Sequence, residues 1–109
     1  MEDVHTVEAW KGALATRCTQ DEPVFTLFTA TWCAPCKRIL PTFVDLSGRF
    51  SGRFLKIDID ELSDVALDSG VTAVPTFHVY KGANDRSSET LIAPSASALT
   101  EFVSRHASC

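Results

Sequence analysis

Apolar residues recur along the chain with two periods, about 3.6 and 2, and the way these periods alternate predicts a succession of helices and strands. Val7, Trp10, Leu14 and Cys18 fall at helical spacing and predict a first helix from about Thr6 to Thr19, after a short extended start around Val4. Gln20-Asp21-Glu22-Pro23 breaks that helix. Val24 to Thr29 is a nearly continuous β-prone run, the pattern of a strand covered on both faces. Ile39, Leu40, Phe43, Val44, Leu46 and Phe50 return to helical spacing, so this strand feeds a long helix from Cys33 to about Phe50. Pro41 inside it removes a backbone hydrogen bond and crowds the preceding turn, which predicts a kink between Lys37 and Pro41.

After Ser51-Gly52, Phe54 to Asp60 alternates with period two. Leu55, Ile57 and Ile59 share one face, with Phe54, Lys56 and Asp58 on the other. A short helix from Leu62 to about Asp68 stops at Gly70, a residue suited to a left-handed cap. Thr76 to Lys81 reads as a strand, Gly82-Ala83-Asn84-Asp85 as a turn, and Glu89 to Ala93 as a last strand. Leu99, Phe102 and Val103 mark a closing helix. The order β-α-β-α-β-α-β-β-α predicts an α/β fold with a central mixed sheet and helices on both faces.

Composition narrows the class. With 109 residues, 45% of them hydrophobic and 22% charged, residues 1–109 are expected to form one domain. Such a chain removes roughly two thirds of its unfolded surface from water and needs no staple to fold. A net charge of −4 without long runs of like charge argues against nucleic acid or an anionic membrane as partner. No apolar run approaches the ~20 residues that span a bilayer, and the acidic start Met1-Glu2-Asp3 predicts neither a secretory signal nor a transit peptide, hence a cytoplasmic protein. The four cysteines, Cys18, Cys33, Cys36 and Cys109, are too irregularly placed for a secreted disulfide framework.

Chemistry concentrates in Trp32-Cys33-Ala34-Pro35-Cys36-Lys37, where the second strand becomes the second helix. Residues three apart on a helix lie about 5–6 Å from each other, within the Cα separation that a disulfide accepts. Cys33 falls at the helix N-terminus, where unpaired N–H groups and the positive end of the dipole favour a thiolate and predict a pKa below the free value of ~8.5. Cys33 is therefore the expected nucleophile. Cys36, one turn in and facing the core, is placed to resolve a mixed disulfide. Pro35 suits the first helical turn, where its missing N–H costs nothing, and Trp32 supplies an apolar platform. A bare C-x-x-C also fits half of a zinc site or two inert core thiols. The zinc reading needs a second ligand pair, and Cys18, Cys109, His5, His78 and His106 offer none at suitable spacing.

These residues resemble the thioredoxin family, whose hallmark is W-C-x-P-C after a central strand. Pro41, the Lys56-Ile57-Asp58-Ile59-Asp60 strand, and Val74-Pro75-Thr76 preceded by Gly70 extend the match over essentially the whole chain. The resemblance implies the thioredoxin fold and a cis bond between Val74 and Pro75 packed against the cysteines, where the residues alone also allow an ordinary trans proline at a strand start. It implies that Val74 offers its backbone to substrate. It further implies disulfide-containing protein substrates, no bound cofactor, and recycling by a flavoprotein reductase, with a small dithiol as the other possible donor.

Two positions depart from the family pattern. The family's buried Asp, six residues before the first cysteine, is Leu27 in this sequence. That substitution takes away the group thought to help deprotonate the resolving thiol, and it leaves Lys56 without its family partner. Asp58, on the same face, is the expected replacement partner for Lys56. Ile92-Ala93-Pro94 stands where many members have a glycine, which predicts a narrower groove.

The remaining candidates have plainer readings. Cys18 is expected as a buried structural thiol, and Cys109 as an exposed terminal thiol through which an otherwise monomeric chain could dimerise. His78 is expected to be partly buried in a strand, His5 and His106 to be solvated, and Asp58, Asp60, Glu61 and Asp64 to form a hydrated acidic edge. The expected activity is reduction of protein disulfides. Its alternatives are a disulfide oxidant or isomerase, and a thioredoxin-fold adaptor or chaperone module.

Overall fold

The computed structural model describes residues 1–15, 22–81, 87 and 89–107. Their elements are β1 (Glu2–Val4), α1 (Val7–Ala15), β2 (Val24–Thr29), α2 (Ala34–Arg49), β3 (Arg53–Asp58), α3 (Ser63–Asp68), β4 (Thr76–Tyr80), β5 (Glu89–Ile92) and α4 (Ala96–Ala107). They lie in the order predicted from the periodicity. One sheet carries all five strands in the order β1-β3-β2-β4-β5. β3 runs parallel to both β1 and β2, whereas β4 runs antiparallel to β2 and to β5. The sheet is therefore mixed, as expected.

The period-two pattern sorts side chains onto two cores. Phe25 and Leu27 of β2 join Phe54 of β3 against Phe43 of α2 and Phe102 of α4. Val24 and Phe28 join Leu55 and Ile57 against Trp10 of α1 and Val65 of α3. β2 is central to both: Val24, Phe25, Leu27 and Phe28 are at most 1% exposed. Fully burying side chains of this size stabilises the fold by about 1.5–3 kcal/mol each. Phe25 stacks on Phe54 with centroids 4.9 Å apart, so the two central strands are joined by ring packing as well as by their ladder.

Boundaries move where a local hydrogen bond outcompetes the periodic pattern. β3 stops at Asp58, before the predicted Asp60, because Asp58 Oδ1 accepts the N–H groups of Asp60 at 2.8 Å and Glu61 at 3.4 Å and turns the chain. β5 stops at Ile92, before the predicted Ala93, because Ala93 takes φ 46°, which a strand cannot hold. α2 runs on through Pro41 to Arg49. α1 is described to Ala15, so the rest of the predicted first helix, Cys18, the Gly82-Ala83-Asn84-Asp85 turn and Cys109 lie outside the described residues.

The α3 terminus follows its predicted cap. Gly70 has φ 76°, its N–H donates to Leu67 O at 3.1 Å, and the next N–H, of Val71, reaches Ala66 O at 3.0 Å. That pair of bonds is the Schellman arrangement.

Two histidines differ from expectation. His78 is 3% exposed, more deeply buried than predicted, with Nδ1 3.0 Å from the Tyr80 hydroxyl. His106, expected in solvent, packs its ring on Phe102 and sets Nε2 2.7 Å from Glu89 of β5. It faces the sheet because α4 lies over β5, a pairing that sequence distance does not reveal. His5 lies at the surface, 2.8 Å from Glu61.

Gly70→Ala is expected to lower stability by about 1–2 kcal/mol in denaturant titrations. No heavy atom lies within 4 Å of the added methyl, so the cost is conformational alone. Burial holds the pKa of His78 below the ordinary 6.5. The folded chain thus binds fewer protons there than the unfolded one, and stability should decline as pH falls below 6.5 and level off beneath the folded-state pKa. Denaturant melts at roughly pH 8 to 5 should show this slope, and His78→Gln should flatten that part of it.

Candidate active site at the strand–helix junction

β2 ends at Thr29, and the chain turns through Ala30, Thr31 and Trp32 before α2 begins. The N–H of Cys33 donates to Ala30 O at 3.2 Å, which fixes the turn. Cys33 is the N-cap of α2 with extended backbone angles, φ −91° and ψ 107°, and its Sγ accepts the N–H of Cys36 at 3.3 Å. A sulfur thus occupies the place that a Ser or Asp oxygen takes at most helix starts, facing the unpaired N–H groups and the positive end of the dipole. Pro35 sits in the first turn, where no N–H is missed.

Cys33 and Cys36 form a disulfide with Cα atoms 5.3 Å apart, within the range that C-x-x-C spacing on a helix predicts. Both are buried, at 4% and 2% exposure, in a small apolar cluster with Ala30, flanked by Ile59 and Val74. The Val74–Pro75 bond is cis. Cys33 Sγ lies 3.7 Å from the Val74 carbonyl oxygen, so this loop forms the wall beside the first cysteine. Ala93 N–H donates to Pro75 O at 2.8 Å and ties the end of β5 to the same loop. Ile92 beside it is 57% exposed.

Trp32 is 67% exposed, an unusual state for so large an apolar side chain. Its Nε1–H donates to Asp60 Oδ2 at 2.8 Å, which holds the indole at the rim. From the sequence, Asp60 is expected at the end of a strand and on a hydrated acidic edge, with no sign of this bond. Its position two residues beyond β3 carries no periodic signal, and only the turn made by Asp58 brings it back toward Trp32.

Lys56 is placed differently from expectation. Its Nζ pairs with Asp3 Oδ1 at 3.1 Å, and not with Asp58. The register explains the choice: Asp3 of β1 stands opposite Lys56 of β3, while Asp58 Oδ1 is committed to the backbone of its own turn. Leu27, opposite Lys56 on the other neighbouring strand, is fully buried and contributes no ionisable group. A cleft of about 300 Å³ runs behind the disulfide and is lined by Thr29, Ala30, Thr31, Cys36, Lys37, Leu40, Lys56 and Asp58. Among the described residues, no group of three or more His, Cys, Asp or Glu side chains is arranged to hold a metal ion.

Comparison with known proteins agrees with this geometry. The thioredoxin family model matches residues 3–105. The chain is 43% identical over 101 residues to an h-type thioredoxin of Chlamydomonas reinhardtii, covering 91% of this chain and 88% of that one. It is 40% identical over 90 residues to thioredoxin 1 of Plasmodium falciparum, covering 82% and 85%. A solved Plasmodium falciparum thioredoxin superposes with a TM-score of 0.89 at 32% identity, over 98% of this chain and 100% of that one. A Nicotiana alata thioredoxin gives 0.88 at 31% identity, over 96% and 90%.

Asp60→Asn removes the charge from the bond to Trp32 and should loosen the indole. A solvent-exposed bond of this kind is worth about 1 kcal/mol, so KM for a protein disulfide should rise about two- to fivefold with kcat within about twofold. Steady-state kinetics read alongside Trp32 fluorescence anisotropy provide the check.

Proposed function

The chain belongs to the thioredoxin family and is a dithiol–disulfide oxidoreductase that reduces protein disulfides, and from that premise we propose how its residues divide the work. The Cys33 thiolate attacks a substrate disulfide, forming a mixed disulfide and releasing one substrate thiolate. Cys36 then attacks Cys33, which releases the second thiolate and leaves the Cys33–Cys36 bond. The observation that carries this assignment is the Cys33 sulfur at the N-cap of α2, where the N–H of Cys36 and the helix dipole favour negative charge. Cys36 lies one turn deeper, within bonding distance of its partner.

Trp32, Ala34, Pro35, Val74 and Pro75 form the substrate face in this reading. Trp32, Ala34 and Pro35 are exposed around the disulfide, and the Val74 backbone lies beside Cys33. An extended substrate segment pairs with the Val74 backbone while Trp32 covers its apolar side chains. No cofactor takes part in the exchange itself. Electrons arrive from a flavoprotein of the thioredoxin-reductase type, which returns Cys33–Cys36 to the dithiol, so that the chain carries electrons onward to many proteins. Work in this direction requires a reducing compartment, and the cytoplasm is the one proposed.

Cys33→Ser should abolish reduction of a protein disulfide such as that of insulin. Cys36→Ser should retain attack and accumulate mixed disulfides that non-reducing gels resolve. Equal activity of wild type and Cys33→Ser would overturn the assignment of the nucleophile.

A further inference from the structure

The resolving step needs a proton acceptor, and the fold supplies an unexpected one. Cys36 must lose its thiol proton before it attacks, yet it is 2% exposed. β2 offers no help, because the residues of its α2-facing side nearest the pair are Leu27 and Thr29. The cleft behind the disulfide reaches Cys36 and runs out past exposed Thr31 and Lys37. Its titratable lining consists of Lys37 from α2 and of Lys56 and Asp58 from β3, with Asp3 of β1 paired to Lys56. A lysine ammonium only donates, so Asp58 is the lining group able to take a proton. Two backbone N–H bonds to Oδ1 hold its carboxylate in place.

Resting on the assignment of Cys36 as resolving residue, the geometry points to Asp58 as the proton acceptor that activates Cys36 through the solvent of this cleft. In the mixed disulfide the Cys36 proton passes through cleft water to the Asp58 carboxylate. The Cys36 thiolate attacks Cys33 Sγ, the Cys33–Cys36 bond forms, and the bond from Cys33 to the substrate sulfur breaks. The departing substrate thiolate takes the electron pair, and Asp58 returns its proton to solvent as that thiolate is protonated. The ammonium groups of Lys37 and Lys56 favour the transient negative charge on Cys36. Asp58 acts here through water and not by touching the reacting sulfurs, so it is a positioning residue for the proton.

Asp58→Asn is the informative variant, because an amide oxygen can accept the same two backbone bonds. Rapid mixing of the dithiol protein with a one-disulfide protein substrate, at a series of pH values, follows release of the second substrate thiol. Resolution should slow about tenfold or more at pH 6–7, and the deficit should shrink as pH rises and hydroxide takes over the deprotonation. Alkylation of Cys33 by iodoacetamide should be unchanged, and Asp58→Glu should recover part of the rate. Resolution unchanged at every pH overturns the proposal, and so does a loss of equal size at every pH, which marks a purely structural role. Failure of wild type to release the second thiol at all, with attack by Cys33 intact, would sink the assignment of Cys36 instead.

Discussion

The structure depends on the burial of β2. This strand pairs with β3 on one side and β4 on the other and packs aromatic and aliphatic side chains against both helix layers. With no face in solvent and no free edge, its C-terminal end has one position, and the turn that follows delivers Cys33 to the start of α2. The cysteines are therefore set by the sheet at one end and by the helix at the other. The loop opposite is fixed in the same way: Pro75 immediately precedes β4, whose strand is paired to β2, so the wall beside Cys33 is positioned by the same sheet.

Much of this was legible in the sequence because it is local. The element order, the two faces of β3, the cap at Gly70 and the cysteine pair at a strand–helix junction each rest on residues within a few positions of one another. The contacts that could not be read are those that depend on strand order. Asp3 and Lys56 are far apart in the chain and become neighbours only because β1 adds to the outer edge of β3. Asp60 meets Trp32, and His106 meets Glu89, for the same kind of reason. Charge pattern alone suggested Asp58 for Lys56, and the backbone turn claimed that carboxylate first.

Polar groups around the site illustrate how a departure from a family pattern is absorbed. With Leu27 in β2, the charged groups lining the cleft at Cys36 come from α2 and β3, as Lys37, Lys56 and Asp58. Lys56 is not stranded, since an edge-strand carboxylate pairs with it where both side chains keep partial access to water. A half-exposed pair of this sort contributes little net stability, but it avoids the several kcal/mol that an unpaired buried ammonium would cost. The apolar core beneath Leu27 is correspondingly continuous, and the sheet gains a packed aliphatic side chain in exchange for a charge.

Ala93 sits in the left-handed region at φ 46°, held there while its N–H meets Pro75 O. For a residue with a β-carbon that conformation costs about 1–2 kcal/mol, and the surrounding elements must over-determine it. The rim of the site thus holds a small store of conformational energy at a residue bonded to the loop that borders Cys33. Because that cost disappears when a single methyl group is removed, the global stability of the protein is adjustable at one rim position without changing either cysteine.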